Sequence, residues 1–129
     1  MKRRLIDTDV IIDHLRGEEK ARDFLKMIKS EEADIFYSAI TKAELYSGVR
    51  PKEEVKVIGF LSSMKEVKID GEIGVSAGRY RKKYHASHGL LLPDALIAAS
   101  AKITEAVLVT LNKKHYPMKD IQIQIPYEK

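Results

Sequence analysis

The sequence predicts an α/β protein with a mostly parallel sheet covered on both faces. Short apolar runs of strand length alternate with longer stripes at helical spacing. Strands separated by helices imply βαβ crossovers, and these place helices over the sheet. No internal repeat, low-complexity tract or linker interrupts the 129 residues, a length that suits one domain spanning residues 1–129 with a sizeable core.

Arg4 to Ile6 reads as a strand ending in an acidic cluster, Asp7-Thr8-Asp9. A short helix carrying Val10, Ile11 and Leu15 follows. It stops at Gly17, since a helix C-terminus favours a residue that tolerates the left-handed conformation. Ala21, Phe24, Leu25 and Ile28 fall at i, i+3, i+4 and i+7, the mark of an amphipathic helix. Asp34 to Ser38 is a second strand, and Thr41 to Ser47 a short helix closed by Gly48. Val55, Ile58 and Leu61 suggest another helix, and Val67 to Ile69 a brief strand. Ile73, Ala77, Tyr80 and Tyr84 line one face of a long helix that Gly89 breaks. Pro93, suited to a first helical turn, starts the next. Ala106 to Thr110 is a further strand, and Ile121 to Ile125 alternates with Gln as an edge strand does.

Composition narrows the classes. With 44% hydrophobic and 33% charged residues, the chain is too apolar for disorder. A net charge of +4 permits a polyanionic partner without requiring one. The absence of cysteine excludes a disulfide scaffold, a thiol nucleophile and a thiolate zinc site. Gly89 to Ala101 is the most apolar run, but Pro93 and Asp94 interrupt it, and a membrane span needs ~20 residues. Lys2, Arg3 and Arg4 precede an apolar stretch that Asp7 and Asp9 break at once, which is no signal peptide. A soluble, cytoplasmic protein is expected.

Chemistry in open α/β sheets sits at the carboxyl ends of the strands. Asp7 follows the first strand there, Glu44 lies in the helix after the second, Asp94 opens a helix beside Pro93, and Asn112 follows Val107-Leu108-Val109. Three carboxylates and an amide suit a hard divalent cation, Mg²⁺ or Mn²⁺, which assists attack of water on a phosphodiester. Each residue also has a structural alternative. Thr41-Lys42-Ala43-Glu44 fits a capping box, Asp94 complements a helix dipole, Asn112 suits a turn, and Asp9 suits an N-cap. Asp7 lacks such an alternative. Thr8 and Thr110, also at strand ends, read as local hydrogen bonders.

Four segments in this order resemble the PIN domain, and within it the VapC-type toxin ribonucleases: LIDTDVIIDHLRG, SAITKAELYSG, LLPDALIAASA and VLVTLNKKHY. The resemblance implies a three-layer α/β/α sandwich and an acidic cluster that holds Mg²⁺ or Mn²⁺. It also implies cleavage of single-stranded or looped RNA. The family's first three acids fall on Asp7, Glu44 and Asp94. At the fourth, where the family commonly has Asp, this chain has Asn112, which offers a carbonyl oxygen and removes one negative charge. Asp9 beside the first acid, and Ser38 through a water, are candidates to compensate. A homodimer and a cognate antitoxin that blocks the site are further implications of the resemblance.

Two rival readings follow. Asp7-Thr8-Asp9 resembles the opening of haloacid dehalogenase-type phosphatases, but Ile11 stands where that pattern wants Thr or Val, and no later Gly-Asp pair is present. The other rival is a PIN domain that binds RNA or protein and cuts slowly or not at all; Asn112 supports it. Arg79, Arg81, Lys82 and Lys83 interleave with Tyr80 and Tyr84 in the manner of a nucleic-acid surface. Their helical spacing instead sends the tyrosines inward and the cations to solvent. His14, His85, His88 and His115 lack zinc-ligand spacing and read as surface residues.

Overall fold

The computed structural model describes residues 2–129. Strands β1 (Arg3–Ile6), β2 (Asp34–Ser38), β3 (Lys65–Val67), β4 (Val107–Val109) and β5 (Ile123–Gln124) form one sheet in the order β3-β2-β1-β4-β5. Every pairing is parallel. The helices of the described residues are α1 (Thr8–Leu15), α2 (Glu19–Ser30), α3 (Ala39–Gly48), α4 (Glu54–Leu61), α5 (Gly71–His88) and α6 (Leu92–Thr104).

The three layers follow from the two-residue period of the central strands. Leu5 and Leu108 point to one face and pack with Ile73, Ala77 and Tyr80 of α5 and with Ala95 and Ile97 of α6. Ile6 and Val109 point to the other, against Val10 and Ile11 of α1, Phe24, Leu25 and Ile28 of α2, Leu45 of α3 and Val57 and Leu61 of α4. Leu5, Ile6, Leu108 and Val109 are completely buried, each contributing about 2 kcal/mol of transfer free energy. A sheet filled on both faces by adjacent residues of one strand is a sandwich, as the resemblance implies.

Two strands differ from the sequence expectation. The third lies at Lys65–Val67, two residues before Val67 to Ile69. It is an outer strand, so its charged residues face solvent: Lys65 Nζ pairs with Asp34 Oδ1 at 2.7 Å and Glu66 with Lys42 at 2.6 Å. Charge on a sheet edge also discourages pairing with other chains. Ile69, whose apolar side chain suggests the later span, is 39% exposed. At the opposite edge, only Ile123–Gln124 of the alternating stretch pairs, through Leu108 and Val109 of the three-residue β4.

Helix α5 bears out the inward reading of its tyrosines. Tyr80 is buried and donates to Asp120 Oδ1 at 2.8 Å, Tyr84 packs against the core, and Arg79, Lys82 and Lys83 are exposed. Gly89 closes the helix at φ +65°, the left-handed conformation expected there. Among the described residues no helix is long and apolar enough to cross a membrane.

The strand order reverses between β1 and β4: β2 and β3 extend from one side of β1, β4 and β5 from the other. At such a switch point the flanking crossovers diverge and leave a crevice at the carboxyl ends of the two strands. Asp7 is the first residue beyond β1 and Thr110 the first beyond β4, and the Asp7 amide donates to Val109 O at 2.9 Å.

Candidate active site at the carboxyl edge of the sheet

Asp7 is the hub. It caps α1 with Oδ1, which accepts from the Thr8 amide at 2.7 Å. Its Oδ2 accepts from Thr110 Oγ1 at 2.7 Å and from the Tyr116 hydroxyl at 2.8 Å. The side chain is nearly buried, and burial raises its pKa above the ordinary carboxylate value although all three hydrogen bonds oppose that shift. The N-cap expected at Asp9 is thus supplied by Asp7. Asp9 sits in the first turn, with Oδ1 on the Val10 amide at 2.7 Å. Its Oδ2 reaches across to the strand β4 loop, accepting from the Leu111 amide at 3.0 Å and from Asn112 Nδ2 at 2.8 Å. Burial, and next the charge of Asp7, push the Asp9 carboxyl up to about 6.

Glu44 arrives from α3. Ser38, not Thr41, caps that helix, its Oγ accepting from the Ile40 amide at 3.3 Å, so the capping-box alternative for Glu44 does not hold. Glu44 Oε1 instead accepts from Thr8 Oγ1 at 2.7 Å, and Thr8 Oγ1 lies 2.8 Å from Thr41 Oγ1. Thr41 and Glu44 are three apart on one helix face, the same spacing that suggests a capping box. Ser38 is completely buried, bonded to Ser100 at 3.4 Å, and is occupied in capping rather than reaching the acids.

Asp94 stands in the first turn of α6, after Pro93. Burial and then Asp7 raise its pKa, with Glu44 adding to the effect. The Tyr116 hydroxyl lies 3.4 Å from Asp94 Oδ1, and His115 Nδ1 lies 3.6 Å from Oδ2. Tyr116 therefore stands between Asp7 and Asp94, and its own pKa is raised far above the ordinary tyrosine value by burial and then by the charge of Asp7. Sequence reasoning missed Tyr116 and left His115 as a plain surface residue. Both stand in the VLVTLNKKHY segment, but no periodicity aims them at the acids; the turn Lys113–His115 after β4 does.

Of the residues singled out in sequence, Asp7, Thr8, Asp9, Glu44, Asp94, Thr110 and Asn112 converge on this edge. Asn112 presents its amide nitrogen to Asp9, and its backbone N–H donates to Thr110 Oγ1 at 3.0 Å. Among the described residues no three His, Asp or Glu side chains form a ready metal cage. The donor set nevertheless suits a hard cation. It is all oxygen, it carries four carboxylates, and three of them have raised pKa values that an added positive charge would relieve.

Fold and site together define a class: a parallel α/β/α domain that gathers carboxylates from separate segments at the switch point of its sheet. The PIN domain family model matches residues 4–121, and the chain belongs to the PIN-domain family. Within that family it groups with the VapC ribonucleases. It is 36% identical over 125 residues to Ribonuclease VapC19 of Mycobacterium tuberculosis, covering 96% of this chain and 99% of that protein. It is likewise 36% identical over 124 residues to Ribonuclease VapC10 of the same organism, covering 95% of this chain and 92% of that protein. Among solved structures, a toxin-antitoxin complex from Klebsiella pneumoniae superposes with a TM-score of 0.79 at 25% identity, covering 97% of this chain and 98% of that one. DNA-bound VapBC from Salmonella typhimurium gives 0.79 at 25% identity, covering 96% and 98%. These likenesses set aside the phosphatase alternative.

Proposed function

We propose that this protein is a toxin endoribonuclease that cleaves single-stranded or looped RNA with the help of Mg²⁺ or Mn²⁺. The observation that carries the reading is the convergence of Asp7, Glu44 and Asp94, from three separate segments, at the switch point of a PIN-domain sheet. Its VapC-named relatives support a ribonuclease. Asp7, Glu44 and Asp94 would hold the cation, Asp7 and Asp94 foremost because the Tyr116 hydroxyl places them on either side of one oxygen. Asp9 and Asn112 would close the set on the side of the β4 loop. Mg²⁺ needs only one or two carboxylates together with waters and substrate phosphate, so an open rim of acids suits it better than a closed cage. A bound cation supplies charge neutralisation and Lewis-acid polarisation at a phosphodiester.

The chain's own residues do the rest. Thr110 and Tyr116 fix the Asp7 carboxylate, and Thr8, itself held by Thr41, fixes Glu44. This preorganisation places negative charge before the substrate arrives. The toxin–antitoxin complexes among the structural neighbours support a cognate antitoxin as partner. A homodimer and a cytoplasmic setting complete the proposal.

The decisive experiment is cleavage of an unstructured RNA by purified protein in Mn²⁺, in Mg²⁺ and in EDTA, beside Asp7→Asn and Glu44→Gln. Cleavage in either metal, abolished by EDTA and reduced by orders of magnitude in both variants, is expected. Cleavage that persists in EDTA overturns the metal assignment, and full activity of Asp7→Asn overturns the site. RNA binding without cleavage would instead favour a binding module, a reading to which Asn112 at the fourth position lends weight.

A further inference from the structure

A polyanion approaching four carboxylates is repelled, and a cation at the site offsets only part of that repulsion. The substrate therefore needs positive charge beside the acids; Arg16 lines the clefts that hold Asp9 and Glu44, and the loop after β4 supplies a row of lysines. A cleft of about 610 Å³ opens along the loop after β4, with Lys113, Lys114 and Lys119 on its walls and Ile121 and Ile123 beneath. No carboxylate lines it. All three lysines are exposed, and among the described residues none stands within ion-pair distance of an acid. Tyr116 also lines this cleft, while its hydroxyl is bonded to Asp7. One tyrosine ring thus separates the row of lysines from the hub of the acidic site.

We propose that the Lys113–Lys119 loop is the RNA-backbone track of this enzyme: Lys113, Lys114 and Lys119 hold phosphates of a single strand whose scissile bond lies at Asp7 and Asp94. The proposal rests on the ribonuclease reading above. The basic face of α5 is the competing surface, but its tyrosines are turned into the core and the acidic site contains no residue of that helix. The loop after β4, by contrast, sends Asn112, His115 and Tyr116 into the site and three lysines into the adjoining cleft. An acidic segment of a protein partner is the other polyanion this chemistry could take. The adjacency to the acids, which would repel such a segment without offering it a reaction, favours RNA.

The test compares wild-type protein with the triple variant Lys113→Ala, Lys114→Ala, Lys119→Ala and with a charge-matched control on α5, Arg79→Ala, Lys82→Ala, Lys83→Ala. Affinity for a labelled unstructured RNA is read by fluorescence anisotropy in EDTA over a salt series, and kcat and KM are read in Mn²⁺. Each lysine on a single strand contributes about 0.7 to the slope of log K against log salt. The loop variant should lose about 2 from that slope and bind at least about tenfold more weakly at low salt. Its KM should rise with kcat little changed, and the α5 variant should resemble wild type. Wild-type cleavage together with an unaltered slope in the loop variant overturns this proposal alone, as does a larger loss in the α5 variant. RNA affinity retained while capture of an acidic protein segment is lost overturns it in favour of a protein partner. Wild-type protein that neither binds nor cuts RNA overturns it together with the ribonuclease reading.

Discussion

The Tyr116 hydroxyl donates its one proton to Asp7 Oδ2 at 2.8 Å and lies 3.4 Å from Asp94 Oδ1, so a single oxygen stands between two carboxylates that come from different segments. Tyr116 is 3% exposed, and its ring is fixed by packing against the α5–α6 core. Removing only the hydroxyl should leave that packing in place and leave the Asp7 carboxylate held by Thr110 and the Thr8 amide alone. Tyr116→Phe is therefore expected to melt several degrees below wild type, because a buried carboxylate loses a charge-assisted bond of about 1.5–3 kcal/mol. It is also expected to bind Mn²⁺ more weakly by calorimetry and to cleave RNA roughly tenfold to a hundredfold more slowly, the scale of a small misplacement at a reacting centre. Wild-type Mn²⁺ affinity in this variant would remove Tyr116 from any role in positioning Asp7.

Asp94→Asn separates stability from activity. Asp94 is pushed up by burial and by Asp7, His115 at 3.6 Å opposes the shift, Glu44 adds to it, and the Tyr116 hydroxyl stands 3.4 Å away with its proton on Asp7. An amide of the same shape relieves the repulsion and gives up little. The metal-free variant should melt a few degrees higher than wild type, an effect on the order of 1 kcal/mol, while cleavage falls by orders of magnitude. Thermal melts in EDTA beside a cleavage assay read both quantities. A lower melting point would mean that Asp94 is held by favourable contacts rather than strained by its neighbours.

Asp9 gives the site a pH signature. Its carboxyl is near 3.8 when exposed and about 6 in the fold, so the native state holds the proton more tightly than the unfolded chain. Below pH 3.8 both states are protonated and nothing is lost. Between about 4 and 6 the unfolded state ionises first, so this group's contribution falls as pH rises and stays low above 6. Asp7 and Asp94 shift in the same direction. Asp13, Asp34, Glu66 and Asp120 are held below their ordinary values and matter only at lower pH. His14, whose pKa is lowered chiefly by burial, acts in the opposite sense up to about 6.5, so the informative quantity is a difference. In metal-free buffer, the stability of wild type relative to Asp9→Asn should decline from pH 5 to pH 7, as read by urea midpoints. Saturating Mn²⁺ should flatten that decline. A constant difference would show that Asp9 does not titrate in this window.

The sheet was legible because Leu5-Ile6 and Leu108-Val109 are pairs in which each residue feeds a different core, a pattern that a buried parallel strand requires. The acids were legible because they stand where strands end. Less legible was what holds them. Thr41-x-x-Glu44 is written alike for a capping box and for a pair sharing Thr8, and only Ser38 taking the cap decides between them. The Tyr116–Asp7 bond joins residues 109 apart and depends on the turn after β4, which no periodicity encodes. The span of β3 differs from the expected Val67 to Ile69 for a related reason: on an outer strand charged residues are tolerated, so Lys65 and Glu66 carry no apolar signal.

Asn112 is where the structure changes the expectation most. From sequence, Asn112→Asp restores a carboxylate and should tighten Mn²⁺ binding by about tenfold, equivalent to ~1.4 kcal/mol. In the fold, Asn112 Nδ2 donates to Asp9 Oδ2 at 2.8 Å. An aspartate has no such donor and sets a second carboxylate against one already pushed up to about 6 by burial and by Asp7. Without metal the variant should therefore be less stable, by about 1 kcal/mol for a partly solvated bond to a charged group. That corresponds to a melting point lower by about 3 °C, with the larger deficit at pH 8 than at pH 5. Bound Mn²⁺ offsets the added repulsion, so the rise in melting temperature on adding Mn²⁺ should exceed that of wild type. Melts with and without Mn²⁺, beside calorimetric titration of both proteins, read the two halves of the effect. A variant with wild-type melting and wild-type Mn²⁺ affinity would place Asn112 outside the site and leave the cation to Asp7, Glu44 and Asp94.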